Sequence, residues 1–232
     1  MKTSNIIITA FAILIVGGML FLFADSKKHK EEEKNNISYK EYPLPSFKVI
    51  VAEEASDIHV DRSDSTVMRI EYIKGGKVPA KLYEVINDTL YVYYGPRAFI
   101  KCKQISQIIG KNHLWINVSN FEPDSLTVKV TGGRFIYNSD QAKKYTINKK
   151  NYNVSIIAND SAFIDLNNSR FRNLTIKSNN AFVNNYCETK HLNGTLINKS
   201  KLYSKDKNEA MVIEKDTTST ISIDNNDYSA NR

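Results

Sequence analysis

The side chains best suited to metal binding, nucleophilic attack or proton transfer are thinly spread along this sequence. His29, His59, His113 and His191 stand apart, without the His-x-His, His-Glu-x-x-His or Cys-x-x-Cys spacing that brings two ligands to one ion. Cys102 and Cys187 are too few and too distant for a disulfide framework and read as two separate small core residues. Asp57, His59 and Asp61 alternate onto one face of a strand. Same-face neighbours lie about 7 Å apart, so the first and third cannot share an ion, and the trio reads as a solvated face. No Gly-x-Ser-x-Gly elbow or phosphate-cradling glycine loop occurs, and Gly75-Gly76 and Gly132-Gly133 read as turns. Carboxylates such as Glu53 and Glu54 form no recognisable acid and base pair. The expectation is a protein that is not an enzyme and uses no metal or cofactor.

What remains for contact chemistry is aromatic. Tyr91 and Tyr93 share one face of a strand and Tyr94 opposes them, and exposed tyrosines near asparagine suit sugars and peptides. Tyr91 and Tyr93 are therefore the candidate ligand-binding residues, against the plainer reading of tyrosines that cover a sheet edge. The elements that would position them are short. Phe47–Val51, Ile58–Val60, Val67–Tyr72, Leu90–Tyr94 and Trp115–Val118 each read as a strand bounded by Gly, Pro, Asn or Asp. The best helical stretch, Lys81–Ile86, is too short to stand without tertiary support.

The second half repeats. Leu126-Thr-Val128, Val154-Ser-Ile156, Leu174-Thr-Ile176 and Thr195-Leu196 align at about 20 residues after a longer first step of 28. A second series, Phe135, Phe163, Phe182, Leu202 and Ile221, runs at steps of 28, 19, 20 and 19. A small or polar turn precedes each: Thr131-Gly-Gly, Asn159-Asp-Ser, Ser178-Asn-Asn, Asn198-Lys-Ser and Thr217-Thr-Ser. The longer step reflects a polar insertion around Gln141 to Tyr152. Short strands with Asn-rich corners at this period suit a parallel β-solenoid, whose coils bury their inward side chains only when stacked. A β-sandwich with evenly spaced hairpins is the alternative.

The order of these parts resembles the auto-transporter adhesin head GIN domain family of Gram-negative bacteria, over roughly Pro43 to Asp224. The likeness rests on the opening strands, the Asn87-Asp-Thr-Leu-Tyr-Val92 turn and strand, the Trp115-Ile-Asn-Val118 strand, and the Asn-Asp-Ser-Ala-Phe and Ser-Asn-Asn-Ala-Phe corners. The corners carry Asn where the family typically has Ser-Gly-x-Ser, which marks a divergent member. The resemblance implies an all-β, right-handed parallel β-solenoid displayed outside the cytoplasm, and it brings no catalytic residues with it. Asp precedes a hydroxyl residue at Ser65, Thr89, Ser125, Ser161 and Thr217. This looks like the O-glycosylation acceptor of some exported Gram-negative proteins, although Asp-Ser and Asp-Thr also close turns by side-chain hydrogen bonds.

The apolar run Ile6–Ala24 carries no charge and, as a helix, reaches roughly 28 Å, enough to cross a bilayer. It is longer than the apolar core of a signal peptide, and the candidate cleavage site Leu22-Phe23-Ala24 has bulky Leu22 where a small residue is preferred, so an uncleaved transmembrane anchor is expected over a signal sequence. Lys27, Lys28, Lys30 and Lys34 follow the run while Lys2 precedes it, a count that alone favours a cytoplasmic domain; the repeating domain argues for export. The organisation expected is an anchor over 1–24, a charged linker over 25–42, the β-solenoid over 43–227 and a tail over 228–232. The net charge of +7 is scattered, so no nucleic-acid partner is expected. The partners expected are the membrane through the N-terminal helix, a polysaccharide or protein, and a second copy of the chain. The function expected is a membrane-anchored envelope module presenting a surface for binding or structural contact. The alternative is a membrane-bound regulatory or sensory accessory of a co-encoded partner.

Overall fold

A computed structural model describes residues 14–28, 36–53, 57–75, 81–93, 97–112, 114–121, 123–138, 152–205 and 208–224. His29, His113, Tyr94, Gly76, most of the polar insertion and the tail lie outside the described residues. The chain divides into two units, one of residues 1–39 and 72–77, the other of residues 40–71 and 78–232. In the first, a helix covers residues 14–28, and every described side chain in it is exposed, Leu14 at 72% and Phe23 at 73% among them. This helix runs past Ala24 through Lys27 and Lys28. Among the described residues no helix is long and apolar enough to cross a membrane, so the transmembrane helix expected over Ile6–Ala24 is not found there; its first eight residues lie outside the described set.

The rest is all-β. The first nine strands are β1 (Ile37–Pro43), β2 (Val49–Glu53), β3 (Asp57–Arg62), β4 (Val67–Ile73), β5 (Tyr83–Ile86), β6 (Thr89–Val92), β7 (Arg97–Cys102), β8 (Gln107–Lys111) and β9 (Trp115–Ser119). They are followed by β10 (Ser125–Thr131), β11 (Arg134–Asn138), β12 (Tyr152–Asn159), β13 (Phe163–Asn167), β14 (Arg170–Asn179), β15 (Phe182–Asn185), β16 (Glu188–Ile197), β17 (Lys201–Lys205), β18 (Asn208–Lys215) and β19 (Thr220–Asp224). β1 begins within residues expected to belong to the linker, and residues 83–86, part of the best helical stretch that was read as too short to stand alone, are strand β5. Val85 and Ile86 are β-branched, and pairing with β6 decides a segment too short to hold a helix.

Two sheets result. Ten strands run in the order β1-β4-β7-β3-β9-β11-β13-β15-β17-β19, and nine in the order β18-β16-β14-β12-β10-β8-β2-β6-β5. From β10 onward the chain alternates between the sheets, and each strand pairs in parallel with the strand two places on. Inward residues form columns across the rungs. In the nine-stranded sheet one column runs Leu90, Ile50, Ile108, Val128, Ile156, Ile176, Gly194, Ile213. In the other it runs Ala98, Ile58, Ile116, Phe135, Ile164, Val183, Leu202, Ile221. These β-branched and aliphatic stacks form the core, since parallel strands hide one face completely only when a second layer closes over it.

The corners follow from chemistry visible in the sequence. Asp160, Asn180 and Asn198 take positive φ, as Asn and Asp tolerate, and Gly132 and Gly133 do so between β10 and β11. Neighbouring corners are tied by amides: Asn198 Nδ2 donates to Asn179 Oδ1 at 2.8 Å, and Asn168 Nδ2 to Asn138 Oδ1 at 3.2 Å. Towards β17 the interior becomes polar, with buried Asn185 donating to Ser204 Oγ at 3.2 Å and Ser178 Oγ 3.0 Å from Ser200 Oγ.

Two expected alignments are corrected. Phe135 stands opposite Ile164, and Phe163 stands opposite Arg134, so the expected series of Phe135, Phe163 and Phe182 mixes two faces. A shift of one residue exchanges the faces of a strand, and burial of Ile164 and Val183 outweighs the match between phenylalanines. In the other series Leu174 pairs with Leu192, a step of 18, and Leu196 lies opposite Ser178. The parallel registers place the long step between Leu126 and Val154 where the polar insertion was expected.

Candidate ligand-binding surface

Because side chains alternate, the same registers that build the core also stack the outward residues of the ten-stranded sheet. One outward column reads Asp57, Trp115, Arg134, Phe163, Phe182, Lys201. The column beside it reads Phe99, His59, Asn117, Ile136, Asp165, Asn184, Tyr203. Phe163 and Phe182 stack with ring centroids 5.0 Å apart and an interplanar angle of 9°. The Arg134 guanidinium lies 4.9 Å from the Phe163 centroid and 5.4 Å from that of Trp115, so a cation bridges the two aromatic groups. Trp115 is 48% exposed.

Asp165 fixes this arrangement. Its carboxylate is buried on the outward side, with Oδ2 2.6 Å from Arg134 Nη2 and Oδ1 accepting from Asn184 Nδ2 at 2.9 Å. Arg134 Nε is buried without a hydrogen-bond partner among the described residues. The result is a stacked row in which Phe182 and Arg134 cover Phe163 and Trp115 is the most exposed ring, edged by amide, guanidinium and carboxylate groups. Rings of this kind take the apolar face of a sugar or a peptide side chain, and the polar edge takes hydroxyl or amide groups.

Tyr91 and Tyr93 do share a face, with rings 6.3 Å apart and 11° from parallel. Both are half-buried near the edge of the nine-stranded sheet. Tyr93 Oη donates to Glu84 Oε2 at 3.0 Å, and Lys81 Nζ sits 4.7 Å over its ring and 2.6 Å from the same carboxylate. Hydrogen bonds from Lys81 and then Tyr93 hold the Glu84 carboxyl below its usual range. Tyr93 therefore has its polar group engaged by the β5–β6 hairpin, and the pair covers an edge. A shallow groove of about 240 Å³ crosses the outward face of the same sheet, lined by Ser125, Thr127, Asn153, Ser155, Asn173 and Thr175 among others.

Asp57, His59 and Asp61 share an outward face as expected, with His59 Nε2 3.1 Å from Asp57 Oδ1 and Arg97 Nε 2.9 Å from Asp57 Oδ2. Among the described residues no group of three His, Cys, Asp or Glu could hold a metal ion. Cys102 and Cys187 are free and buried, and burial raises both thiols to about 12. Of the candidate glycosylation residues, Ser65, Ser125, Ser161 and Thr217 are exposed and Thr89 is half-buried, donating to Asn87 O at 3.4 Å. Asp216, beside Thr217, is committed to the corner: Oδ2 accepts from Asn198 N–H at 2.7 Å, and Oδ1 from Thr218 and Ser219 N–H at 3.0 and 2.8 Å.

The strip of Trp115, Arg134, Phe163 and Phe182 was missed in the sequence. Its signal was present: an aromatic or cationic residue recurs one position before an apolar inward residue at Arg134-Phe135, Phe163-Ile164 and Phe182-Val183. Reading it required the correct register.

No family model matches the chain, nor does any curated protein. Among solved structures, a protein named "putative adhesin" from Bacteroides fragilis NCTC 9343 matches 81% of this chain and 97% of its own at 13% identity, with a TM-score of 0.57. This chain shares that fold. A second structure, named "Putative lipid binding protein" and from Parabacteroides distasonis ATCC 8503, aligns over 82% of this chain and 97% of its own at 10% identity and a TM-score of 0.46.

Proposed function

We infer that this chain is an adhesin-like envelope module: a right-handed β-solenoid of the head GIN kind, tethered through its N-terminal apolar segment and exported to the far side of the membrane. Its outward aromatic strip contacts a polysaccharide. The observation that carries the reading is the strip from Trp115 across Arg134 to the stacked Phe163 and Phe182, an exposed aromatic and guanidinium surface held by buried Asp165. Core packing alone does not require a ring as exposed as Trp115 in this outward column, whereas sugar recognition uses an aromatic surface beside fixed polar groups. The fold shared with a protein named as an adhesin supports the reading, and the exposed apolar side chains of helix 14–28 support the tether.

The test is retention on a panel of immobilised neutral and acidic polysaccharides. Wild-type protein is expected to be retained by at least one, with Trp115→Ala and Phe182→Ala each weakening binding about tenfold or more, as loss of an aromatic anchor does. Both variants should melt close to wild type. Equal retention of wild type and variants on every polysaccharide would remove the strip from the binding site.

A further inference from the structure

The two ends of the stack are built differently. At one end the parallel rungs are closed by antiparallel strands, β5 against β6 and β4 against β7. At the other, β18 and β19 are, among the described residues, the last strands of their sheets and carry the inward columns to the edge. Met211, Ile213 and Ile221 are packed on the core but only partly buried, while Val212 is 64% and Ile223 43% exposed. Stacked repeats need a capping unit at such an end, and an open edge offers unpaired N–H and C=O groups to another chain.

The sequence of β18 is complementary to itself. Placed antiparallel to a second copy about a two-fold axis at Val212, the strand sets Val212 against Val212, Met211 against Ile213, and Glu209 against Lys215. The Met211–Ile213 pair, made twice, falls on the inward face and the Val212 pair on the outward face, and the charge pair also occurs twice. Glu209 already lies 3.5 Å from Lys190 on β16, and the pairing brings a second cation to it. β19 follows the same arithmetic about Ser222, with Ile221 opposite Ile223. A parallel, in-register pairing of the same two edges would instead put Glu209 against Glu209 and Lys215 against Lys215, so the charges select the antiparallel arrangement.

We propose that the β18 and β19 end of the stack is an isologous interface, on which a second copy of this chain docks by antiparallel strand pairing centred on Val212. The proposal does not depend on what the aromatic strip binds. It is tested by sedimentation velocity of the full chain in mild detergent over a concentration series. Wild type is expected to show a monomer–dimer equilibrium. Glu209→Lys alone or Lys215→Glu alone sets like charges together twice and should weaken the dimer about tenfold, and the double exchange should restore it. Val212→Cys should form an oxidised dimer, while Ala210→Cys, whose partner across the axis is Glu214, should not. A chain that stays monomeric throughout, or a dimer indifferent to both single charge reversals and without the Val212→Cys cross-link, overturns the proposal. The cross-link decides the matter if a charge variant fails to fold.

Discussion

At the scale of single residues, the chemistry that looked reactive is put to structural use. Cys102 and Cys187 are walled off by the core, and with thiols raised to about 12 only about one in ten thousand is ionised at pH 8. Neither should react with a thiol reagent under native conditions, and both should react after denaturation, which an absorbance assay with a disulfide dye reads directly. Asp216 is the clearest titrating group. Its hydrogen bond from Asn198 N–H, then those from Ser219 and Thr218, hold its carboxyl well below the ordinary 3.8. A depressed carboxylate stabilises the fold above its ordinary value and loses that contribution as the pH falls towards the folded one. Asp216→Ala should therefore lower the melting midpoint at pH 7, and the gap to wild type should narrow below about pH 4 in thermal scans. The separateness of the histidines and cysteines was legible from spacing alone. The commitment of Asp216 was half legible, because Asp-Thr-Thr reads equally as a turn and as a modification signal until the Asn198 amide is seen beside it.

At the scale of elements, register decides what each side chain does. Alternation in Phe163–Asn167 and Phe182–Asn185 showed two strands without showing which residue faced inward, since Phe and the Ile or Val beside it are both apolar. Hydrophobicity cannot break that tie; the volume available between two sheets does, and it admits Ile164 and Val183. The early strands were hidden for another reason. β6 and β7 are laid outside β2 and β3, and β8 and β9 on the other side, so spatial order departs from chain order and no period appears before Ser125. Gly194 marks the irregular step between β14 and β16. A Cβ there would stand 2.3 Å from the Ile176 carbonyl oxygen, a backbone atom that cannot swing aside. Gly194→Ala should cost about 2 kcal/mol in denaturant unfolding, the usual scale of overpacking, whereas Gly110→Ala, which meets the movable Ile116 Cδ1, should cost less.

At the scale of the whole molecule, a repeating pattern stacks parallel rungs and a register turns an aromatic and guanidinium strip outward, and the proposed function adds a membrane tether and export to these. The repeats and their corners were legible because Asn, Asp and Gly are needed wherever φ turns positive. The strip was not, because it follows from a face assignment that one sequence leaves open. The most direct test uses the silence of the two native thiols. Lys201 is exposed and follows Phe182 in the outward column, while Leu202 beside it is 1% exposed. Lys201→Cys and Leu202→Cys are expressed in a Gram-negative bacterial host, and intact spheroplasts are treated with a membrane-impermeant maleimide. The account predicts labelling of the Lys201→Cys protein and none of the Leu202→Cys or wild-type protein. Labelling of Lys201→Cys only after lysis would place the domain on the cytoplasmic side, and equal labelling of both variants would contradict the register on which the strip depends.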